Sequence, residues 1–299
     1  MSDAFKFKSG FVAVIGVPNV GKSTLVNAIV GEKVSIVTER PQTTRRKILG
    51  IKNVPEGQII LVDTPGVHTS QKIFNKLMIK SAFTAIADSD IIIHMIDVEE
   101  KKFKEANNDI KFQLKKTQAP AILVVNKIDK IKKNLMLPII DDYSKEALYK
   151  EIIPVSALFN DGVDGLINVL LKYLPVGERL FPDDMITDQA ERFMVSEMVR
   201  EKLFQFTRQE IPYSLDVVVE EFDESDKNLL RISADIIVEK DSQKAIVIGK
   251  GGSMLKNVGE SARRDMEKLL NCKVFLKLWV KVRQNWSRDR GMLKTLGYL

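Results

Sequence analysis

Eight consecutive residues, Gly16-Val17-Pro18-Asn19-Val20-Gly21-Lys22-Ser23, fit the pattern G-x-x-x-x-G-K-[S/T]. The chemistry such a run suits is holding a polyphosphate. Glycines let backbone N–H groups approach and wrap phosphate oxygens, and a helix opening at Ser23 and Thr24 adds positive potential at its N-terminus. Lys22 would reach the β- and γ-phosphates, and the Ser23 hydroxyl can ligate Mg²⁺. A glycine-rich turn can arise by chance. Here, though, an apolar run at 11–15 precedes the motif and a helical stretch at 23–30 follows it, as phosphate binding requires.

Three further motifs complete a nucleotide site. Asp63-Thr64-Pro65-Gly66 places a carboxylate to hold Mg²⁺ through water and a backbone N–H to sense the γ-phosphate. Between it and the first motif lies Glu39-Arg40-Pro41-Gln42-Thr43-Thr44-Arg45-Arg46, where a threonine could close over Mg²⁺ when a triphosphate is bound. Thr44 is favoured over Thr43, with a plain surface loop as the alternative. Asn126-Lys127-Ile128-Asp129 selects the base: Asp129 would accept from guanine N1–H and the 2-amino group, Asn126 would meet the N7/O6 edge, and the Lys127 stem would cover the ring. Adenine offers neither donor and would leave a buried carboxylate unpaired. Ser156-Ala157-Leu158 adds the Ala157 N–H for O6. Val67, directly after Gly66, cannot orient an attacking water, so intrinsic turnover should be slow. His68 reads as a mobile loop residue rather than a base, and His94 as a satisfied core histidine.

These motifs need strands that end beside one another. Apolar runs at 11–15, 59–62, 91–96, 121–125 and 152–155 alternate with helical stretches, and most are continuously apolar, as parallel strands covered on both faces should be. Segments 48–52 and 59–62 read as a hairpin forming one antiparallel edge. The fold class is α/β, a P-loop GTPase with a doubly wound, mostly parallel sheet, followed by an α+β domain. Boundaries fall at 1–174, a linker at 175–188 marked by Pro175 and Pro182, and 189–299. Asp188 with Glu191 suggests a capping box opening a helix, on which Val195, Val199, Leu203 and Phe206 recur at helical spacing and Met194 and Met198 read as core.

The second domain reads helix, strand (214–220), strand (229–238), helix from about residue 242, Gly249-Lys250-Gly251-Gly252, helix, strand (272–283). A lone G-x-x-G is weak evidence, but in this order it matches the type II KH arrangement, whose glycine turn lets a sugar–phosphate backbone lie close. Ile248 precedes the turn, and Lys256, Arg263 and Arg264 follow on the helix. In the last strand Val274, Leu276, Leu278, Val280 and Val282 face one way. Lys273, Phe275, Lys277, Trp279, Lys281 and Arg283 face the other, a basic and aromatic mixture that suits single-stranded RNA. Residues 241–299 carry thirteen Lys and Arg against five Asp and Glu, within a net charge of +6. That asymmetry points to a polyanionic partner at this end. Trp286 reads as packing for the C-terminal end and Cys272 as a small buried hydrophobe.

The chain has 299 residues, 44% of them hydrophobic and 29% charged, which suits two globular domains. No apolar run reaches the roughly 18 residues of a membrane span. The N-terminal stretch does not read as a secretory signal, and one cysteine excludes an internal disulfide.

Residues 1–174 resemble a Ras-like GTPase domain of the translation-factor-related class. With the linker Phe181-Pro182-Asp183-Asp184-Met185-Ile186-Thr187-Asp188, Ile211-Pro212-Tyr213 and the G-x-x-G, the chain resembles the Era family over nearly its whole length. Asn19 resembles the asparagine of potassium-dependent relatives that ligates K⁺ beside the phosphates; bracing the loop is the alternative role. The resemblance implies GTP hydrolysis to GDP with Mg²⁺, ribosomal RNA of the small subunit bound near the 16S 3′ end, and a monomer assisting assembly of the 30S-type subunit. It also implies a cytoplasmic location, with peripheral contact to the inner face of the membrane. Two other functions share the same motifs: an RNA chaperone gated by nucleotide without turnover, and a membrane-associated signalling GTPase.

Overall fold

The computed structural model describes residues 6–68, 73–98, 104–207, 211–226 and 228–298. Residues 1–5 of the N-terminal stretch and residue 227 of the acidic turn lie outside them. The chain divides into two compact units, Met1–Asp188 and Gln189–Leu299.

In the first unit the sheet order is β2-β3-β1-β4-β5-β6. The strands are β1 (Lys8–Ile15), β2 (Ile48–Val54), β3 (Gly57–Asp63), β4 (Ile91–Asp97), β5 (Ala121–Asn126) and β6 (Glu151–Pro154). Only the β2–β3 pair is antiparallel. β3 and β5 are buried along their whole length, which explains their unbroken apolar sequence. The helices are α1 (Lys22–Val30), α2 (Ile73–Ala87), α3 (Lys104–Leu114), α4 (Lys133–Ser144) and α5 (Val163–Tyr173). Each nucleotide motif starts where a parallel strand ends, so one edge of the sheet collects them. His94 is buried in β4, with Tyr149 Oη 2.7 Å from Nδ1 and Asn107 Oδ1 3.3 Å from Nε2. Burial pushes its pKa down to about 4, so the ring is neutral at physiological pH.

The linker differs from its sequence reading. Residues 175–186 are a strap sewn onto the first unit rather than a spacer. Ser9 N donates to Pro175 O (3.2 Å), Gly177 N to Phe7 O (3.1 Å), and Ile51 N on the open edge of β2 to Ile186 O (2.8 Å). Gln58, fully buried in β3, accepts from Leu180 N and Phe181 N (2.9 Å each) and donates to Phe181 O (2.8 Å). A buried amide left without such partners costs about 1–3 kcal/mol, so Gln58 and the strap hold one another. The next helix begins at Glu191 with Ala190 as its N-cap and no side-chain cap. Asp188 therefore lies two residues too early for the capping box expected of it.

In the second unit β7 (Leu215–Asp223), β8 (Leu229–Val238) and β9 (Lys273–Val282) form a sheet in that order, β7–β8 antiparallel and β8–β9 parallel. The helices are α6 (Glu191–Phe206), α7 (Asp241–Ile248), α8 (Ser253–Leu270) and α9 (Arg290–Thr295). Val195, Met198, Val199 and Leu203 of α6 pack with Val258, Ala262 and Met266 of α8 in one core. Phe206, expected to share that stripe, is exposed. Cys272 is half-buried at the edge of the core. α9 was not legible, being six residues without a long apolar period. Trp286, completely buried, leads into it and donates from Nε1 to Ser214 O at 3.1 Å.

Candidate nucleotide site and nucleic-acid interface

The phosphate loop runs from the end of β1 into α1. Asn19 (φ 67°) and Gly21 (φ 98°) take left-handed conformations. A Cβ at Gly21 would stand 2.4 Å from the Asn126 amide, and one at Gly66 would stand 2.9 Å from Pro18. Both glycines are thus required by close approach within the protein. Lys22 is buried, its ammonium donating to Gly16 O (3.2 Å) and Val17 O (3.0 Å). Burial brings its pKa down to about 8, opposed by the charge of Asp63. Burial likewise raises Asp63, opposed chiefly by the Ser23 hydroxyl and the charge of Lys22.

Ser23, Thr44 and Asp63 meet. Ser23 Oγ donates to Asp63 Oδ2 at 2.7 Å, Thr44 Oγ1 lies 2.7 Å from Ser23 Oγ, and Thr44 donates to Asp63 Oδ2 at 3.4 Å. Thr43 turns the other way, to Thr38 Oγ1 (2.6 Å) and Arg40 O (2.8 Å). Asp63 Oδ1 and Ser35 Oγ are buried with no hydrogen-bond partner among the described residues. Two open oxygens beside two hydroxyls, with an acidic group among them, form a donor set that fits Mg²⁺ with its waters. Ser35 was not singled out in the sequence because the position that matters is set by Asn27. That side chain accepts from Val34 N and Ser35 N and donates to Ser35 O, a contact with no sequence signature.

At the base end, Ser156 Oγ donates to Asp129 Oδ1 at 2.5 Å and fixes the carboxylate. Asn126 is largely committed to the protein: it donates to Val20 O (2.7 Å) and accepts from Ala157 N (3.0 Å). One N–H of its amide remains for a base, and the Ala157 N–H expected at O6 is engaged by Asn126 here. Lys127 (φ 64°) donates to Asn19 O at 2.6 Å and pairs with Asp97 at 2.8 Å, so its stem is braced. Leu158 and Phe159 are exposed. Val17, Val20 and Val67 are buried, and Val67 N donates to Gly16 O at 3.1 Å. The Thr64 hydroxyl donates to Val14 O (2.7 Å), so it braces β1.

In the second unit Gly249 (φ 75°), Gly251 (φ 59°) and Gly252 (φ 79°) all lie where L side chains are strained. A Cβ at Gly249 would strike Met254 at 2.7 Å, whereas one at Gly251 or Gly252 meets nothing within 4 Å. The turn is open to an approaching ligand. Beside it a groove of about 340 Å³ runs between α8 and β9, lined by Gly252, Leu255, Lys256, Gly259, Arg263 and Leu278 among others. The basic candidates do not all gather there. Arg264 is exposed but does not line the groove. Lys277 and Lys281 do not line it either, although Phe275 of their face of β9 does: Lys277 sits 4.8 Å from the Trp279 ring and Lys281 pairs with buried Asp235.

The sequence matches the family described as 50S ribosome-binding GTPase over residues 11–127 and the KH domain family over residues 210–287. It is 48% identical to GTPase Era of Syntrophus aciditrophicus (strain SB) over 293 residues, 98% of this chain and 95% of that one. Identity to GTPase Era of Geobacter metallireducens is also 48%, over 98% of both chains. The chain belongs to the Era family of GTPases. Era in complex with MgGDPNP and nucleotides 1506–1542 of 16S ribosomal RNA has the same fold, with a TM-score of 0.94 at 41% identity and coverage of 98% and 99%. The Era match spans both units, so the GTPase fold and the KH fold occur together here as in that relative.

Proposed function

We propose that this Era-family GTPase binds small-subunit ribosomal RNA near the 16S 3′ end and uses GTP hydrolysis to time its release during assembly of the 30S-type subunit. The observation carrying the reading is the glycine turn: left-handed glycines with open space over Gly251 and Gly252, beside a groove bearing Lys256 and Arg263. The similar Era structure, which holds 16S nucleotides, favours the small subunit over the large one named in the family description. Ile248, Gly249 and Lys250 would meet the backbone with them, while Lys277 and Lys281 would give weaker phosphate contacts from outside the groove. Crosslinking in cells followed by sequencing of the attached RNA tests the assignment. Reads spread evenly over ribosomal RNA, or absent from the small subunit, would overturn it.

In the first unit Lys22, Thr44, Asp63 and Gly66 carry the hydrolysis. When bound, Mg²⁺ held by Ser23, Thr44 and Asp63 would neutralise charge across the β- and γ-phosphates. Lys22 holds those phosphates, and Gly66 presents its N–H. Asn19 donates to Glu39 O at 2.8 Å. The same amide and carbonyl would supply oxygens to K⁺, the role its family resemblance implies. Exchanging K⁺ for Na⁺ at constant ionic strength should slow hydrolysis, and Asn19→Ala should remove the difference; equal wild-type rates in both salts would eliminate the cation. No helix among the described residues is long and apolar enough to cross a membrane. The protein is proposed to act as a cytoplasmic monomer, its basic end touching the inner membrane face only peripherally.

A further inference from the structure

His68 is not loose. Its Nδ1 lies 3.0 Å from Gly66 O, and its Nε2 lies 3.1 Å from Gln42 Nε2. A carbonyl oxygen only accepts, so Nδ1 must carry the proton. In the neutral ring Nε2 is then an acceptor, and the Gln42 amide donates to it. Both nitrogens are occupied, which leaves none to take a proton from water, and His68 is thereby excluded as a general base in this arrangement. The bond joins two loops that the sequence keeps 26 residues apart. Gln42 belongs to the loop that brings Thr44 to Ser23 and Asp63, and His68 follows the glycine proposed to sense the γ-phosphate. Gln42 is held at φ 62°, a strained conformation for a residue with a side chain. A second contact ties the Thr44 loop to α2, Arg45 lying 5.4 Å over the Phe74 ring.

We propose that His68 is a positioning residue for GTP hydrolysis: through Gln42 and Gly66 it ties the Thr44 loop to the Gly66 segment, so that both close on the triphosphate as one unit. Val67, being apolar and buried, gives the site no side chain to place water. Joint closure of the two loops answers that lack, because it fixes the backbone groups that remain.

The test is single-turnover GTP hydrolysis by the full chain with Mg²⁺ and K⁺, alongside affinity for a fluorescent GTP analogue and thermal melting. His68→Ala and Gln42→Ala should each slow the chemical step by about three- to ten-fold, the effect of losing one ordinary hydrogen bond. Analogue affinity should change much less. The double variant should be no slower than the slower single one, since both remove the same link. His68→Gln, whose amide can donate to Gly66 O and accept from Gln42, should recover most of the rate, which a merely structural defect would not allow. A wild-type rate in His68→Ala, fully additive losses in the double variant, or a loss of affinity equal to the loss of rate would each overturn the proposal.

Discussion

The two ligand-facing regions are built on opposite plans. In the first unit nearly every polar group around the nucleotide motifs is engaged by another: Lys22 with loop carbonyls, Asn126 with Val20 and Ala157, Asp129 with Ser156, Ser23 with Thr44 and Asp63. In the second, the glycine turn gains its character from what is missing, with no atom within 4 Å of where a Cβ would stand on Gly251 or Gly252. A site whose polar groups hold one another tolerates few changes. An open turn flanked by exposed cations should respond in graded, salt-dependent steps.

The comparison breaks most sharply at Lys22. Lys22→Ala removes the buried cation proposed to hold the phosphates and should weaken GTP binding by at least about 100-fold, two charge-assisted contacts being lost. Calorimetric titration that finds wild-type affinity would show that the cradle does not depend on this cation. Asp129→Asn should come next. The amide turns a donor toward guanine, so GTP affinity should fall about 10- to 100-fold while XTP affinity rises; ATP bound as tightly as GTP by the wild type would refute the base assignment.

In the open region Gly251→Asp should cost more than about ten-fold in RNA affinity, beyond the loss of one neutral hydrogen bond. The variant should still fold, because aspartate tolerates φ near 59° better than most residues and its Cβ meets nothing. Wild-type RNA affinity in a folded Gly251→Asp protein would remove the glycine turn from the RNA site. Lys277→Ala should act least, lowering the slope of affinity against log salt by about 0.7. Lys281→Ala should perturb melting more than RNA binding, because it strands the buried carboxylate of Asp235.

Those outcomes also bear on what a sequence can disclose. The alternation of strands and helices, the hairpin edge and the nucleotide motifs were legible because each rests on contiguous residues with a fixed spacing; the order of the strands in the sheet was not. The choice of Thr44 over Thr43 was legible only as a preference; its geometry depends on where Thr38 and Arg40 draw Thr43. Ser35, Gln42 and Gln58 left no trace. Their partners lie 5 to 123 residues away or, at Ser35, their position is imposed by Asn27. Asp188 failed as a cap because a capping pattern is short enough to occur by chance. In the second unit the alternation of β9 separated its two faces correctly. It could not show that the groove would take in Phe275 and leave out Lys277 and Lys281, since that depends on how α8 lies along the strand.

The strap has a consequence for distance. Were residues 175–190 slack, 17 steps of chain from Leu174 to Glu191 could extend about 58 Å. With Ile186 fastened to Ile51, only five steps separate that fixed point from the start of α6, about 17 Å at full stretch. A leash so short leaves little slack chain before the start of α6. It also ends on β2–β3, the hairpin strung between the Thr44 loop and the Asp63 motif, so the leash is anchored to the stretch of backbone most directly continuous with the nucleotide.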